Sequence, residues 1–224
     1  MGKRKMTNDY VREVLTVSRA NFFSDLGWTR EAGFYLAGGT ALAIQIGHRT
    51  SVDFDFYTQH HFQSGSLARL VYRALDDRWE IEITRDLDDT FDLTTKPDIH
   101  LSCFYYEYPL LCPARVIMGV SVASLQDIAA MKILAISQRG RHRDFVDLYY
   151  LLGHFTVEEM IRPCLEKYPM YDPTFFLRSV LYFEDAEKDK DIGRIKLFDR
   201  SLTWKKIKQT ITEKVREYQL KGSR

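Results

Sequence analysis

Apolar positions recur at helical spacing from residue 7 to about residue 26, where Val11, Val14, Leu15, Ser18 and Phe22 share one stripe. That stripe predicts an amphipathic helix. Residues 34–37 form a short apolar run that reads as a strand, stopped by Gly38-Gly39. Residues 40–46 predict a helix that ends at Gly47, a residue suited to a left-handed C-terminal turn. Residues 51–57 alternate strictly between apolar and polar side chains and predict a half-buried strand. A helix over 66–75 and strands over 79–84, 90–94 and 99–106 follow, and 116–122 reads as a last strand or turn. From Ser124 the spacing is helical to the end, with breaks near Gly140, Pro169 to Pro173 and Ile192-Gly193. The pattern divides the chain into an α+β part, 1–122, and a helical part, 123–224.

Composition narrows the class without naming a function. The chain has 224 residues, 45% apolar and 28% charged, the profile of an ordinary globular protein and not of a disordered or fibrous one. A net charge of +1 excludes a uniformly basic nucleic-acid coat protein. The total hides an asymmetry: residues 188–224 hold 12 Lys+Arg against 5 Asp+Glu, so the rest of the chain sums to −6. The basic tail reads either as a solvated helix face or as a surface for RNA or DNA phosphates. The acidic stretch 76–92 reads as a solvated hairpin. Three cysteines with no Cys-x-x-Cys argue against a disulfide framework or a thiolate zinc site and fit a reducing cytoplasm. No signal peptide follows Met1, and no apolar run reaches the length of a membrane span.

The segment with chemical content is Gly38-Gly39-Thr40 followed, after twelve residues, by Asp53-Phe54-Asp55. On a strand, positions i and i+2 share a face, so Asp53 and Asp55 project together while Val52, Phe54 and Phe56 face a core. Two carboxylates this close repel unless a cation lies between them. All-oxygen ligands of this kind suit Mg²⁺ or Mn²⁺. An Asp-x-Asp alone also describes a solvated strand end. The two glycines shift that balance, because a strand–Gly-Gly-Thr–helix element presents backbone N–H groups to a phosphate at a helix N-terminus. The alternative is an ordinary glycine turn with Thr40 as helix N-cap. His48, just after Gly47, lies near the same element.

A second segment runs from Ser124 to Tyr149. Leu125, Ile128, Ala129, Lys132 and Ile136 fall on one helical face, which puts a lysine inside an apolar stripe. Lys132 either snorkels out past the core or projects towards an anion. Beyond Gly140, Arg143 and Asp147 are spaced i,i+4 and Asp144 and Asp147 i,i+3. An exposed salt bridge would account for the first pair without any function.

The runs YLAGGTALAIQIGHRTSVDFDFY and SLQDIAAMKILAISQRGRHRDFVDLYYLL, with FYYEYPLL between them, resemble the AbiEii/AbiGii toxin-type nucleotidyltransferases of the DNA polymerase β-like superfamily. The resemblance covers roughly residues 30–155. It implies a mixed sheet with flanking helices and an appended helical bundle. It also implies metal-dependent transfer of a nucleotidyl group from an NTP to an acceptor hydroxyl. Gly38, Gly39 and Thr40 would then bind the nucleotide and Asp53 and Asp55 would hold Mg²⁺ or Mn²⁺. Lys132 would contact the phosphates, Arg143 and Asp144 would match the family's Arg-Asp-x-x-Asp, and Asp147 or Lys132 would lie near the acceptor. RNA such as tRNA, or a protein side chain, is the implied acceptor, and a cognate antitoxin the implied partner.

One departure stands out. Related enzymes place a third carboxylate on a later strand, and alignment through YEYPLL puts Ser102 there, with Asp98 four residues earlier as a weak substitute. This leaves two further readings open: a non-catalytic nucleotide- or RNA-binding protein on the same scaffold, and a metal-dependent phosphodiesterase.

Overall fold

The computed structural model describes residues 7–222 apart from 76, 97, 190–192 and 194. They divide into two compact units, Met1–Ser124 and Leu125–Arg224.

In the first unit the stripe at residues 7–26 is not one helix but two, α1 (Thr7–Val14) and α2 (Val17–Ser24), and a short α3 (Gly27–Glu31) follows it. The break comes at Thr16, whose hydroxyl accepts from the Arg19 N–H and caps α2 as a fresh helix. Strand β1 (Tyr35–Ala37) leads directly into α4 (Gly38–Ile46), and Gly47 closes that helix in the left-handed region at φ 63°. Strand β2 (Asp53–Thr58) follows, then α5 (Ser66–Leu75), β3 (Glu80–Leu87), β4 (Thr90–Lys96) and β5 (Ile99–Tyr105). The segment expected as a last strand or turn is a hairpin of β6 (Arg115–Ile117) and β7 (Val120–Val122).

The seven strands form one mixed sheet in the order β3-β4-β5-β2-β1-β7-β6. Strand β2 is interior, antiparallel to β1 and parallel to β5. Its alternation works as the sequence predicts: Phe54 and Phe56 are buried, while Asp53 and Asp55 are half-buried on the other face. Phe22 and Phe23 of α2 cover the apolar face, with ring centroids 5.8 and 6.0 Å from Phe54. Cys103 of β5 is buried on that face as well, and burial pushes its thiol up, with the Asp92 and Asp55 carboxylates adding to the effect.

The second unit is helical: α6 (Leu125–Arg139), α7 (His142–Leu151), α8 (Val157–Lys167), α9 (Pro173–Ser179), α10 (Glu184–Glu187) and α11 (Trp204–Gly222). Helix α6 is its centre, packed by α7, α8 and α9, while α11 lies against α7 and α8. Lys167 of α8 and Asp127 of α6 form a fully buried pair at 2.9 Å. All three cysteines are free. Among the described residues, no helix is long and apolar enough to cross a membrane.

Candidate active site

The site of the first unit begins where β1 ends. Ala37 pairs with Asp55 across the sheet, and the chain then turns into α4 through Gly38 at φ 69°. A Cβ on Gly38 would stand 3.3 Å from Asp55 Oδ2. Glycine is therefore required twice, for the left-handed backbone and for the space beside the carboxylate. The turn expected to receive phosphate and the strand expected to hold metal are neighbours in one unit.

Gly39 is needed for a different reason. The Arg49 guanidinium fills the space that a Gly39 side chain would take, and a Cβ there would overlap Nη2. Arg49 is only 2% exposed. Its Nη1 donates to the Thr50 carbonyl oxygen at 2.9 Å and, at a long 3.5 Å, to Ser51 Oγ. Thr40 is buried, and its hydroxyl donates to the Asp53 carbonyl oxygen. That uses its single proton, so Ser51 is the donor in the 2.7 Å bond between the two hydroxyls. Thr40 is not the N-cap of α4: Ala37 occupies that position, with no side-chain cap bond.

Cross-strand register shows which residues stand beside Asp55. Asp55 pairs with Ser102 of β5, Ser102 pairs with Asp92 of β4, and Asp92 pairs with Arg85 of β3. Directly paired residues share a face, so Asp55, Ser102, Asp92 and Arg85 form one row across four strands. Asp92 Oδ2 meets Arg85 Nε at 3.3 Å, and its Oδ1 is buried with no hydrogen-bond partner among the described residues. Two interstrand spacings separate Asp92 from Asp55, roughly 10 Å at the backbone, which is too far for one ion. Asp98 lies just outside β5, with its carboxylate 2.9 Å from His100 Nε2.

Among the described residues no three His, Cys, Asp or Glu side chains are grouped to hold a metal. Asp53 and Asp55 are the carboxylates that could hold one. That suits Mg²⁺, which binds through one or two carboxylates and completes its shell with water and phosphate oxygens. The space that a Gly38 side chain would crowd is kept open beside Asp55.

The second motif lies in the helical unit. Gly140, at φ 41°, reverses the chain between α6 and α7. The i,i+3 spacing then turns both carboxylates of α7 towards α6. Lys132 Nζ is 2.8 Å from Asp144 Oδ1 and 2.8 Å from Asp147 Oδ2. The three side chains are 8%, 2% and 0% exposed. Lys132 does not snorkel to solvent, and Asp147 is not part of an exposed salt bridge. Arg143 is half-buried on the same helix. Asp144 Oδ2 is buried with no hydrogen-bond partner among the described residues.

Between Gly47 and Asp53 the sequence reading singles out His48 and passes over the side chains of Arg49 and Ser51. A signal was present: between Glu31 and Asp53, Arg49 is the sole Lys, Arg, Asp or Glu.

The chain is 36% identical over 193 residues to the uncharacterized protein aq_aa25 of Aquifex aeolicus (strain VF5), covering 83% of this chain and 87% of that one. Among solved structures it resembles MenT4, the nucleotidyltransferase toxin Rv2826c of Mycobacterium tuberculosis H37Rv. The TM-score is 0.61 at 14% identity, over 96% of this chain and 89% of that one. It also resembles JHP933 of Helicobacter pylori, with a TM-score of 0.55 at 17% identity over 99% and 98% of the two chains. At these identities the structural likeness speaks to the fold. The profile of the family described as nucleotidyl transferase AbiEii toxin, type IV TA system, matches residues 29–220. The chain belongs to the AbiEii nucleotidyl transferase toxin family and is a nucleotidyltransferase enzyme.

Proposed function

We propose that the protein transfers a nucleotidyl group from an NTP to a hydroxyl of an RNA acceptor, with Mg²⁺ or Mn²⁺ held by Asp53 and Asp55. The observation that carries this reading is the contact between the Gly38 turn and the Asp55 carboxylate. It puts a phosphate-binding turn beside the carboxylate pair. A divalent ion held there supplies charge neutralisation to the triphosphate and to the leaving pyrophosphate.

The residues of the chain supply the rest. The first backbone N–H groups of α4, at Gly38, Gly39 and Thr40, have no partner inside the helix and would bind the triphosphate. The Thr40 hydroxyl fixes the start of β2 through the Asp53 carbonyl, so it orients the turn. The interior position of β2 holds Asp53 and Asp55 in one geometry. Lys132, Asp144 and Asp147, with Arg143 beside them, are assigned to the same reaction on the family pattern, as a buried ion cluster needed for transfer.

Lys205 and Lys206, exposed at the start of α11, supply positive charge for an RNA backbone. The reaction is assigned to the cytoplasm, where NTPs and RNA are available, and to a toxin held in check by an antitoxin.

Incubation with each labelled NTP, Mg²⁺ and total RNA, or total protein in parallel, tests the proposal. Label is expected in RNA and absent with Asp53→Ala. Equal labelling by the variant would refute the assigned chemistry. Label in protein alone would move the acceptor from RNA to a side-chain hydroxyl.

A further inference from the structure

We infer that Arg49 is a positioning residue for the nucleotide. Seated where Gly39 has no side chain, its guanidinium locks the Gly38-Gly39-Thr40 turn, the turn read above as receiving the triphosphate, to the start of β2. The inference rests on the nucleotidyl-transfer reading above and adds to it a residue that the motifs do not contain.

Two observations carry it. First, Arg49 is 2% exposed, and a buried guanidinium is costly unless its place is built for it. The place is built: the missing Cβ of Gly39 is what admits Nη2. Second, the guanidinium heads a directed chain of hydrogen bonds. Arg49 Nη1 donates to Ser51 Oγ, Ser51 to Thr40 Oγ1, and Thr40 to the Asp53 carbonyl oxygen. Each donor in such a chain polarises the next, so the chain couples the cation to the peptide that bears Asp53. Its first link is long, and the 2.9 Å bond from Nη1 to the Thr50 carbonyl holds the same end of the side chain in place.

Lysine cannot reproduce this arrangement. It carries the charge but lacks the planar fork that reaches Gly39, the Thr50 carbonyl and Ser51 together.

The test is a double-mutant cycle read by calorimetry, with ATP, CTP, GTP and UTP each titrated in the presence of Mg²⁺. Unfolding midpoints are measured on the same samples. Arg49→Lys is expected to stay folded and to bind the preferred NTP about tenfold or more weaker, with KM raised and kcat less affected. Gly39→Ala is expected to weaken NTP binding about as much, because the new methyl group displaces the guanidinium. In an Arg49→Ala background the same Gly39→Ala change should cost less than about twofold, because the space is then empty. A purely structural role would move the unfolding midpoint without this coupling in NTP affinity.

NTP binding by folded Arg49→Lys that equals wild type would overturn the inference. So would Gly39→Ala and Arg49→Ala effects that simply multiply. Should Arg49→Ala fail to fold, the cycle is run with Arg49→Lys as the second background. If the wild type binds none of the four NTPs, the nucleotidyl-transfer reading fails first and this inference with it. That result differs from one in which wild type binds and Arg49→Lys binds equally well.

Discussion

Gly38 and Asp55 are held side by side, with the left-handed backbone of one pressed against the carboxylate of the other. A methyl group at Gly38 would be strained at φ 69° and would crowd Oδ2. Gly38→Ala is expected to destabilise the protein by about 1–2 kcal/mol from the backbone alone. It should also lower NTP transfer on the order of 10²-fold, the scale of effect when a reacting group is misplaced by an ångström. Denaturant unfolding and initial-rate measurements check the two effects separately.

The Lys132 cluster predicts an asymmetry between removing one charge and removing all three. Lys132→Ala leaves Asp144 and Asp147 buried without their cation and should cost about 3–5 kcal/mol in chemical denaturation. The triple change Lys132→Met, Asp144→Asn and Asp147→Asn removes the uncompensated charges and should recover part of that loss. Neither protein should label RNA. A triple variant that labels like wild type would remove the cluster from the reaction.

The basic helix α11 makes a narrower prediction than its charge count suggests. Lys208 is occupied, 2.6 Å from Glu187 and 5.9 Å from the Trp204 ring centroid, and Lys214 lies 3.3 Å from Glu217. Lys205 and Lys206 are the exposed pair at the start of the helix. Replacing both with Ala should weaken RNA binding and reduce the slope of log K against log salt by about 1–2. NTP binding should not change. An unaltered salt slope would take α11 out of acceptor recognition.

His142 sets an acid limit on the helical unit. Its ring packs 4.3 Å from Trp204, and desolvation pulls its pKa below the ordinary 6.5 despite the opposing pull of Asp189. A lowered histidine pKa means that the unfolded chain takes up the proton first. The contribution of His142 is therefore complete above about pH 6.5 and is lost as pH falls towards the folded-state pKa. His142→Phe, which keeps a ring against Trp204, should show a smaller drop in unfolding midpoint between pH 7 and pH 5.5 than wild type.

Legibility in the sequence followed the range of the interaction. The β2 alternation and the shared face of Asp53 and Asp55 are fixed by a two-residue period, so they can be read directly. The i,i+3 spacing of Asp144 and Asp147 is equally local. Their partner is not, because the pairing with Lys132 depends on how Gly140 reverses the chain between two helices. The division of the N-terminal stripe into α1 and α2 escaped for a related reason. Val11, Val14, Leu15 and Phe22 keep helical spacing across a break made by one capping hydroxyl at Thr16. Asp92 stayed hidden because its row with Asp55 runs through Ser102, and cross-strand register is not written in either strand alone.

The link from Gly47 to Asp53 also acts as a ruler. Arg49, Ser51 and Thr40 tie that stretch down at three points, and β2 begins where it ends. One inserted residue there would shift the pleat by a single step. Phe54 and Phe56 would then face outward, and the two aspartates would be driven towards Phe22 and Phe23. The length of this stretch is thus part of what keeps the two aspartates on their face of the sheet.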